Sequence, residues 1–264
     1  MTIEEIIKMR GSVRSYNGQP LTAEQETELK QYIAQSTSPF EGGVTIRLAT
    51  VGDGSDFHPS TYGVIKGARS FFMVSAQDTD SAWLSAGYQM ERLVLNANAM
   101  KLGTCWITGT FDKGTFTEAA QTPKDQKLIA VVSVGAPADS RSFMDKIFHH
   151  FAKGGKRQPF GSMFFMNNFN TPLPSDGQFA TPLELMRWAP SAMNKQPWRA
   201  LVRGNQVDFY YKGSGRAPVL DMGIGLCHFD LACQAQHVNG MFAKNNMAVD
   251  APDDWSYIIS YIQA

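Results

Sequence analysis

The sequence predicts an α+β fold in which two similar halves, residues 1–157 and 158–264, fold as one unit. Apolar residues recur at both the helical and the strand period along the chain. Each half runs in one order: capped helix, loop, strand, long buried helix. A shift of 136 positions superposes the two long helices, pairing Leu84 with Leu220, Gly87 with Gly223, Leu95 with Leu231 and Ala99 with Ala235. The earlier capped helices align only at a larger shift, Thr22 with Thr181, so the first half carries inserted residues. Two unrelated core helices would match about as well, and the pairing alone does not separate duplication from chance.

The elements follow from local chemistry. Thr2-Ile-Glu-Glu5 is a capping box, because a Thr hydroxyl and a Glu carboxylate satisfy each other's free backbone N–H groups. The helix it opens is short, since Arg10-Gly-Ser12 follows. Thr22-Ala-Glu-Gln25 repeats the signal and starts a helix reaching about Gln35. Val44 to Gly52 alternates apolar and polar residues, as a half-buried strand does, whereas Ser70–Ala76 reads as a more buried strand. Ser81 to Lys101 reads as a central helix hydrophobic on much of its circumference, with Gly103 beyond it. Leu128 to Gly135 reads as a buried strand, and Ser142 to Phe151 as a helix leading into the basic loop Lys153-Gly-Gly-Lys-Arg157. After an aromatic, Pro-containing connection, Thr181-Pro-Leu-Glu184 opens another capped helix, with Pro in the first turn, where its missing N–H costs nothing. Strands near Trp198–Arg203 and Gln206–Tyr211, a long helix from Asp221 to about Asn239, and a strand from Trp255 to Ile262 complete the chain.

Composition narrows the function. The chain has 264 residues, 43% hydrophobic and 18% charged, the profile of a globular protein rather than a disordered one. Its 24 basic and 24 acidic residues cancel, which argues against a nucleic-acid partner and for a small molecule. No apolar run approaches the roughly 20 residues that a membrane span needs. The N-terminus lacks the apolar core of a signal peptide. Three cysteines, an odd number without metal spacing, do not make a disulfide framework. The expectation is a cytoplasmic protein that meets neither membrane nor nucleic acid.

Familiar catalytic signatures are missing. There is no G-x-S-x-G elbow, no H-E-x-x-H and no zinc spacing, so no metal is expected. Gly154-Gly-Lys-Arg157 lacks the Walker spacing, and Gly223-Ile-Gly225 lacks the third glycine of a dinucleotide fingerprint. His58, His149, His150, His228 and His237 form no ligand pattern and read as ordinary surface or core residues.

Three segments carry chemistry. Arg10-Gly-Ser12-Val-Arg14-Ser-Tyr16 puts two guanidiniums on a short turn, suited to a phosphate, although a solvated basic helix end has the same composition. Pro190-Ser191-Ala192-Met-Asn194-Lys-Gln-Pro-Trp198 is a stiff polar loop of the kind that contacts ligands, or simply a rigid connection. Leu102-Gly-Thr-Cys-Trp-Ile-Thr108-Gly109, read as a glycine-flanked loop, joins a second basic turn at Lys156-Arg157-Gln-Pro159.

Together these residues resemble the FMN-dependent nitroreductase family. Arg10-x-Ser12-x-Arg14 is similar to its R-x-S-x-R/K motif, and Pro190-Ser-Ala-x-Asn194-x-Gln-Pro-Trp198 to P-S-S-x-N-x-Q-P-W. Gly103-Thr-Cys-Trp106 resembles the segment after the central helix, and Arg157-x-Pro159 the late basic turn. The resemblance implies a central buried helix and a mixed or antiparallel sheet in each half, with FMN as cofactor and NAD(P)H as co-substrate. It places Arg10, Arg157 and Lys156 on the phosphate, Ser12 beside it, and Arg14 at the N1–C2=O edge of the flavin. The amides near Thr108 and Gly109 would approach N5, and Pro190, Ser191, Ala192 and Asn194 would close over the ring.

In ordinary members two identical chains share each site. Here the Arg motif lies in one half and the Pro-Ser loop in the other. Ser36-Thr-Ser-Pro-Phe40 has lost the loop pattern, and residues 158–186 hold no Lys or Arg. The chain therefore resembles the fused, pseudo-dimeric TM nitroreductase branch, with one flavin site per monomeric chain. Ala192, where the family often has Ser, loses a hydroxyl but keeps its backbone donor. The activity implied is ping-pong hydride transfer through flavin N5, from NAD(P)H to a nitroaromatic or quinone, with no protein group as catalytic acid or base. The alternatives are an FMN store or sensor without turnover, and a flavin-free scaffold using the aromatic run Phe160–Phe169 as a partner patch, although that run reads better as core or as the strap joining the halves.

Overall fold

The computed structural model describes residues 1–52, 57–138, 157–245, 249 and 251–264. The helix expected at Ser142–Phe151, most of the basic loop and Lys156 lie outside the described residues.

Helix α1 (Ile3–Met9) forms the expected capping box between Thr2 and Glu5. Helix α2 (Ala23–Ala34) does the same with Thr22 and Gln25. Strands β1 (Val44–Thr50), β2 (Ser70–Ala76), β3 (Gly103–Ile107) and β4 (Lys127–Gly135) form an antiparallel sheet in the order β1-β2-β4-β3. Helices α3 (Asp80–Ala99) and α4 (Lys113–Ala119) lie in its connections. Every residue of β2 is buried because both faces are covered: Phe72 and Val74 join one apolar cluster, Phe71 and Met73 another. Such a strand reads as a continuous apolar run rather than an alternation.

The second sheet has the order β5-β6-β7-β9-β8, built from β5 (Phe164–Met166), β6 (Trp198–Arg203), β7 (Gln206–Lys212), β8 (Gly240–Ala243) and β9 (Trp255–Gln263). Helices α5 (Ala180–Arg187) and α6 (Ala217–Ala235) belong to this half. Except for β5, which pairs parallel to β6, it repeats the first sheet strand for strand, with β6, β7, β9 and β8 in the places of β1, β2, β4 and β3. The 136 shift that superposes the helices also carries residues 70–76 onto 206–212 and 104–107 onto 240–243. The inserted residues of the first half sit between β1 and β2. There residues 51–69 intervene, where β6 and β7 are joined by the tight turn Gly204-Asn205 alone.

Three expectations change. Residues 103–107 are strand β3 rather than a loop, since Thr, Cys, Trp and Ile favour a strand and pair with β4. Thr181 forms no capping box. The helix starts earlier, behind Phe179, and Glu184 instead binds Arg187 at 2.5 Å and Trp188 at 2.9 Å. Helix α6 begins at Ala217 rather than Asp221, because Pro218 fits its first turn, and it ends at Ala235. The aromatic run Phe160–Phe169 is core, as expected, and not a patch: Met163, Phe164 and Phe165 are buried, and β5 extends the second sheet.

The long helices α3 and α6 pack face to face, and glycine sets their approach. A Cβ on Gly87 would overlap the Leu220 carbonyl oxygen and stand 3.1 Å from the Gly223 Cα. A Cβ on Gly223 would overlap the Leu84 carbonyl and stand 3.0 Å from the Gly87 Cα. Leu84 pairs with Leu220, and Gly87 with Gly223, under the 136 shift. Each contact is therefore the mirror of the other, the signature of a two-fold interface written into one chain. One apolar core spans the junction, combining Ile7, Phe40, Leu84, Tyr88 and Leu95 with residues of the second half.

Gly223→Ala must push backbone against backbone, so we expect a loss of about 3 kcal/mol, the upper range of overpacking. Urea denaturation should show a lower midpoint at unchanged slope. Gly177→Ala, with nothing within 4 Å, should leave the midpoint in place. Equal behaviour of the two variants would show that the helices do not need the glycine contact.

Candidate cofactor site

The Arg motif is an extended segment laid against the edge of β3. Ser12 bridges to Thr104 in parallel, and the Val13 N–H donates to the Thr104 carbonyl at 2.9 Å. Gly103 permits this approach: a Cβ there would meet Val13 Cγ2 at 2.7 Å. On the other side, the Lys66 N–H donates to the Arg14 carbonyl at 2.8 Å. Side chains then alternate, with Val13 buried and Ser12 and Arg14 exposed. Arg10, closing α1, is buried. Its Nε lies 3.9 Å from Glu91 Oε1 and makes no hydrogen bond. Burial pushes the Arg10 pKa down, opposed by Glu91. Burial raises the Cys105 thiol, while Arg14, Ser12 and Arg10 pull it back, so these four groups share one neighbourhood.

Arg157 belongs to the same neighbourhood. Its Nη1 donates to the Ala189 carbonyl at 2.8 Å and to Asn194 Oδ1 at 3.2 Å, and its Nη2 to the Trp188 carbonyl at 2.7 Å. Those carbonyls end α5, where a cation is favoured. Burial, then the charge of Arg10, lowers the Arg157 pKa to about 10, with Arg187 adding and Glu184 opposing. Two guanidiniums thus sit close enough to repel each other, one closing α1 and one held by the end of α5.

The Pro-Ser loop is tied down within itself. Ser191 Oγ accepts from the Gln196 N–H at 2.9 Å, and the Ser191 carbonyl accepts from the Asn194 N–H at 2.9 Å. Met193, Asn194 and Gln196 all have left-handed φ, between 50° and 56°, where non-glycine residues store strain. Both carboxylate oxygens of buried Asp221 lie 3.1 Å from the Ala192 N–H. The amide expected to stand free at Ala192 is therefore spent on Asp221. Burial raises the Asp221 carboxyl to about 7, with Ala192 and Lys195 opposing.

Behind Arg10 lies a polar cluster in the core. Glu91 on α3, fully buried, accepts from Trp106 Nε1 at 2.7 Å and faces His228 Nε2 of α6 at 2.8 Å. His228 Nδ1 lies 3.1 Å from the Leu185 carbonyl. A carbonyl only accepts, so Nδ1 carries a proton, and one further proton lies between Nε2 and Glu91.

The family described as "Putative TM nitroreductase" matches residues 2–233. The chain belongs to this nitroreductase family. Its fold is that of a Thermotoga maritima protein described as a putative nitroreductase, 21% identical, with a TM-score of 0.63 over 99% of this chain and 94% of that one. A Clostridium novyi nitroreductase family protein is 18% identical over 56% of this chain and 92% of its own, with a TM-score of 0.42. A Bacteroides fragilis nitroreductase with bound FMN is 19% identical over 51% and 88%, with a TM-score of 0.40. No curated protein matches the chain.

In this nitroreductase-family chain the fold brings Arg10, Ser12 and Arg14 together along β3, and Arg157 together with Pro190–Asn194. Arg10 and Arg157, the latter held by carbonyls of the second half, lie near each other. Thr108 and Gly109 lie exposed just beyond β3, with open space around Gly109. Reading the sequence missed Glu91, Trp106, His228 and Asp221. The available signal was a charged or imidazole side chain inside otherwise apolar core helices, which is rare unless it is paired. Among the described residues no group of side chains could hold a metal, and no helix is long and apolar enough to cross a membrane.

The Asp221 carboxyl is raised above its usual 3.8, so the folded state holds a proton that the unfolded chain releases. Its contribution to stability is present below about pH 4, falls as pH rises to about 7, and is flat above. Asp221→Asn removes this dependence. The stability of the variant relative to the parent should rise by on the order of 4 kcal/mol between pH 4 and pH 8. Urea midpoints at pH 4, 6 and 8 check this, and a pH-independent difference would contradict it.

Proposed function

We propose that the chain is an FMN-dependent oxidoreductase that takes electrons from NAD(P)H and passes them to nitroaromatics or quinones at one site. The observation that carries this reading is the pair of guanidiniums at Arg10 and Arg157. Arg10 Nε is buried without a hydrogen bond, and Arg157 is destabilised by burial and by Arg10 itself. Such a pair gains from an anion that accepts charge-assisted hydrogen bonds between them, which is what a phosphate does. The residues present fit the cofactor's phosphate end.

Arg10 and Arg157, with Lys156 next to Arg157 in sequence, would hold the phosphate, and Ser12 would add a hydroxyl next to it. Arg14, exposed and paired with no carboxylate among the described residues, would face the N1–C2=O edge. A fixed cation there favours the negative charge that reduction places on the ring. Backbone amides at Thr108 and Gly109 would approach N5. Pro190, Ser191, Ala192 and Asn194, stiffened by Asp221 and Arg157, would cover the other side as a preformed wall. Bound FMN supplies the hydride-accepting and hydride-donating chemistry, and the chain supplies orientation and charge. Because that chemistry is the cofactor's, no residue is assigned as acid or base, and the use of one site by donor and acceptor in turn gives ping-pong kinetics. We further propose that the chain acts as a monomer, its own pseudo-dimer, in the cytoplasm.

Anaerobic titration of the flavin-loaded protein with NADH and with NADPH tests this. Bleaching of the flavin band, followed by recovery on adding a nitroaromatic or quinone, is expected, and steady-state plots should show parallel lines. A yellow protein that does not bleach would be a store or sensor, and colourless protein after FMN addition a scaffold. Arg14→Ala should make the flavin harder to reduce. A midpoint potential and affinity both equal to those of the parent would remove Arg14 from the ring edge.

A further inference from the structure

The buried cluster behind Arg10 has no place in the function just described, yet it is the sharpest asymmetry between the two halves. Under the 136 shift Glu91 corresponds to Cys227, Trp106 to Phe242 and His228 to Arg92. At the mirror position Cys227 and Phe242 replace the carboxylate and the indole, and the polar groups there are different ones: Tyr88 donates to Asp230 at 2.5 Å, with Arg92 close to both. There Phe40 lies edge-on to Tyr88 with ring centres 5.7 Å apart, and 5.1 Å from Phe242. Aromatic packing fills one side of the junction, and a carboxylate, an indole and an imidazole occupy the other.

Stability alone does not require a carboxylate at 91. Trp106 needs only an acceptor, and His228 needs only a group sharing one proton. A neutral glutamine would satisfy both through Oε1 and Nε2 without burying an acidic group. The one neighbour for which the charge matters is Arg10. Its Nε is enclosed, makes no hydrogen bond and stands 3.9 Å from Glu91 Oε1. That contact is with the inner edge of the guanidinium and leaves its two terminal nitrogens unclaimed by Glu91.

We propose that Glu91, held by Trp106 and His228, is a positioning residue: it fixes Arg10 from behind, so that the guanidinium is oriented for the cofactor's phosphate. This rests on the reading of Arg10 as a phosphate ligand. Glu91 touches no part of the cofactor and acts through Arg10 alone. His228, anchored to the Leu185 carbonyl on α5, carries this arrangement from the second half into the first.

Apo-protein titrated with FMN and with riboflavin, which lacks the phosphate, tests the proposal in the parent, Glu91→Gln, Arg10→Ala and the double variant. Glu91→Gln should weaken FMN binding about tenfold, the scale of one charge-assisted contact, and leave riboflavin within about twofold. On the Arg10→Ala background the same substitution should change nothing further. Unchanged or tighter FMN binding, an equal loss for both flavins, or an additive loss in the double variant would overturn it. A parent that binds FMN no better than riboflavin would bring down the phosphate reading of Arg10, and this inference with it. Thermal midpoints of the four apo-proteins report whether any loss comes from folding instead.

Discussion

The close crossing of α3 and α6 is the constraint on which the rest of the structure depends. Two glycines, Gly87 and Gly223, let the helix backbones meet where any Cβ would collide with a carbonyl of the partner helix. Backbones that near each other must match in shape along their length, and they do so by near-symmetry. The sheets repeat the same strand order on either side, and the elements around the crossing repeat at a constant spacing of 136. What an obligate dimer achieves with one surface used twice, this chain achieves with two stretches of sequence.

A symmetric crossing would offer two equivalent clefts, and the side chains make them different. On one side, aromatic rings from Phe40, Tyr88 and Phe242 pack together, and the Tyr88 hydroxyl is spent on Asp230. On the other, Arg10 and Arg157 accumulate positive charge, and Glu91, Trp106 and His228 form a satisfied buried network. Burying like charges costs stability, and so does the raised Asp221 carboxyl under the Pro-Ser loop. These costs fall together at one place, as expected where a fold trades stability for binding.

Much of this was legible in the sequence because it follows from local rules. The capping boxes at Thr2 and Thr22 and the buried strand Ser70–Ala76 formed where residue chemistry placed them. The motifs also carried the family. What was not legible depended on partners far along the chain. The Gly103 segment looked like a loop until pairing with β4 made it a strand. Thr181-Pro-Leu-Glu184 looked like a capping box, but Glu184 had better partners in Arg187 and Trp188. Glu91 and His228 are 137 positions apart, and no local pattern announces such a pair. Asp221 looked like a helix start, whereas the fold uses it to hold the Ala192 amide.

The central claim is that one chain, without a partner, assembles one complete site and fills the other. Native mass spectrometry of the flavin-loaded protein tests it most directly, because it reports chain number and bound flavin together. The account predicts a single chain carrying one FMN. Two FMN on one chain, or FMN found only on a two-chain species, would contradict it.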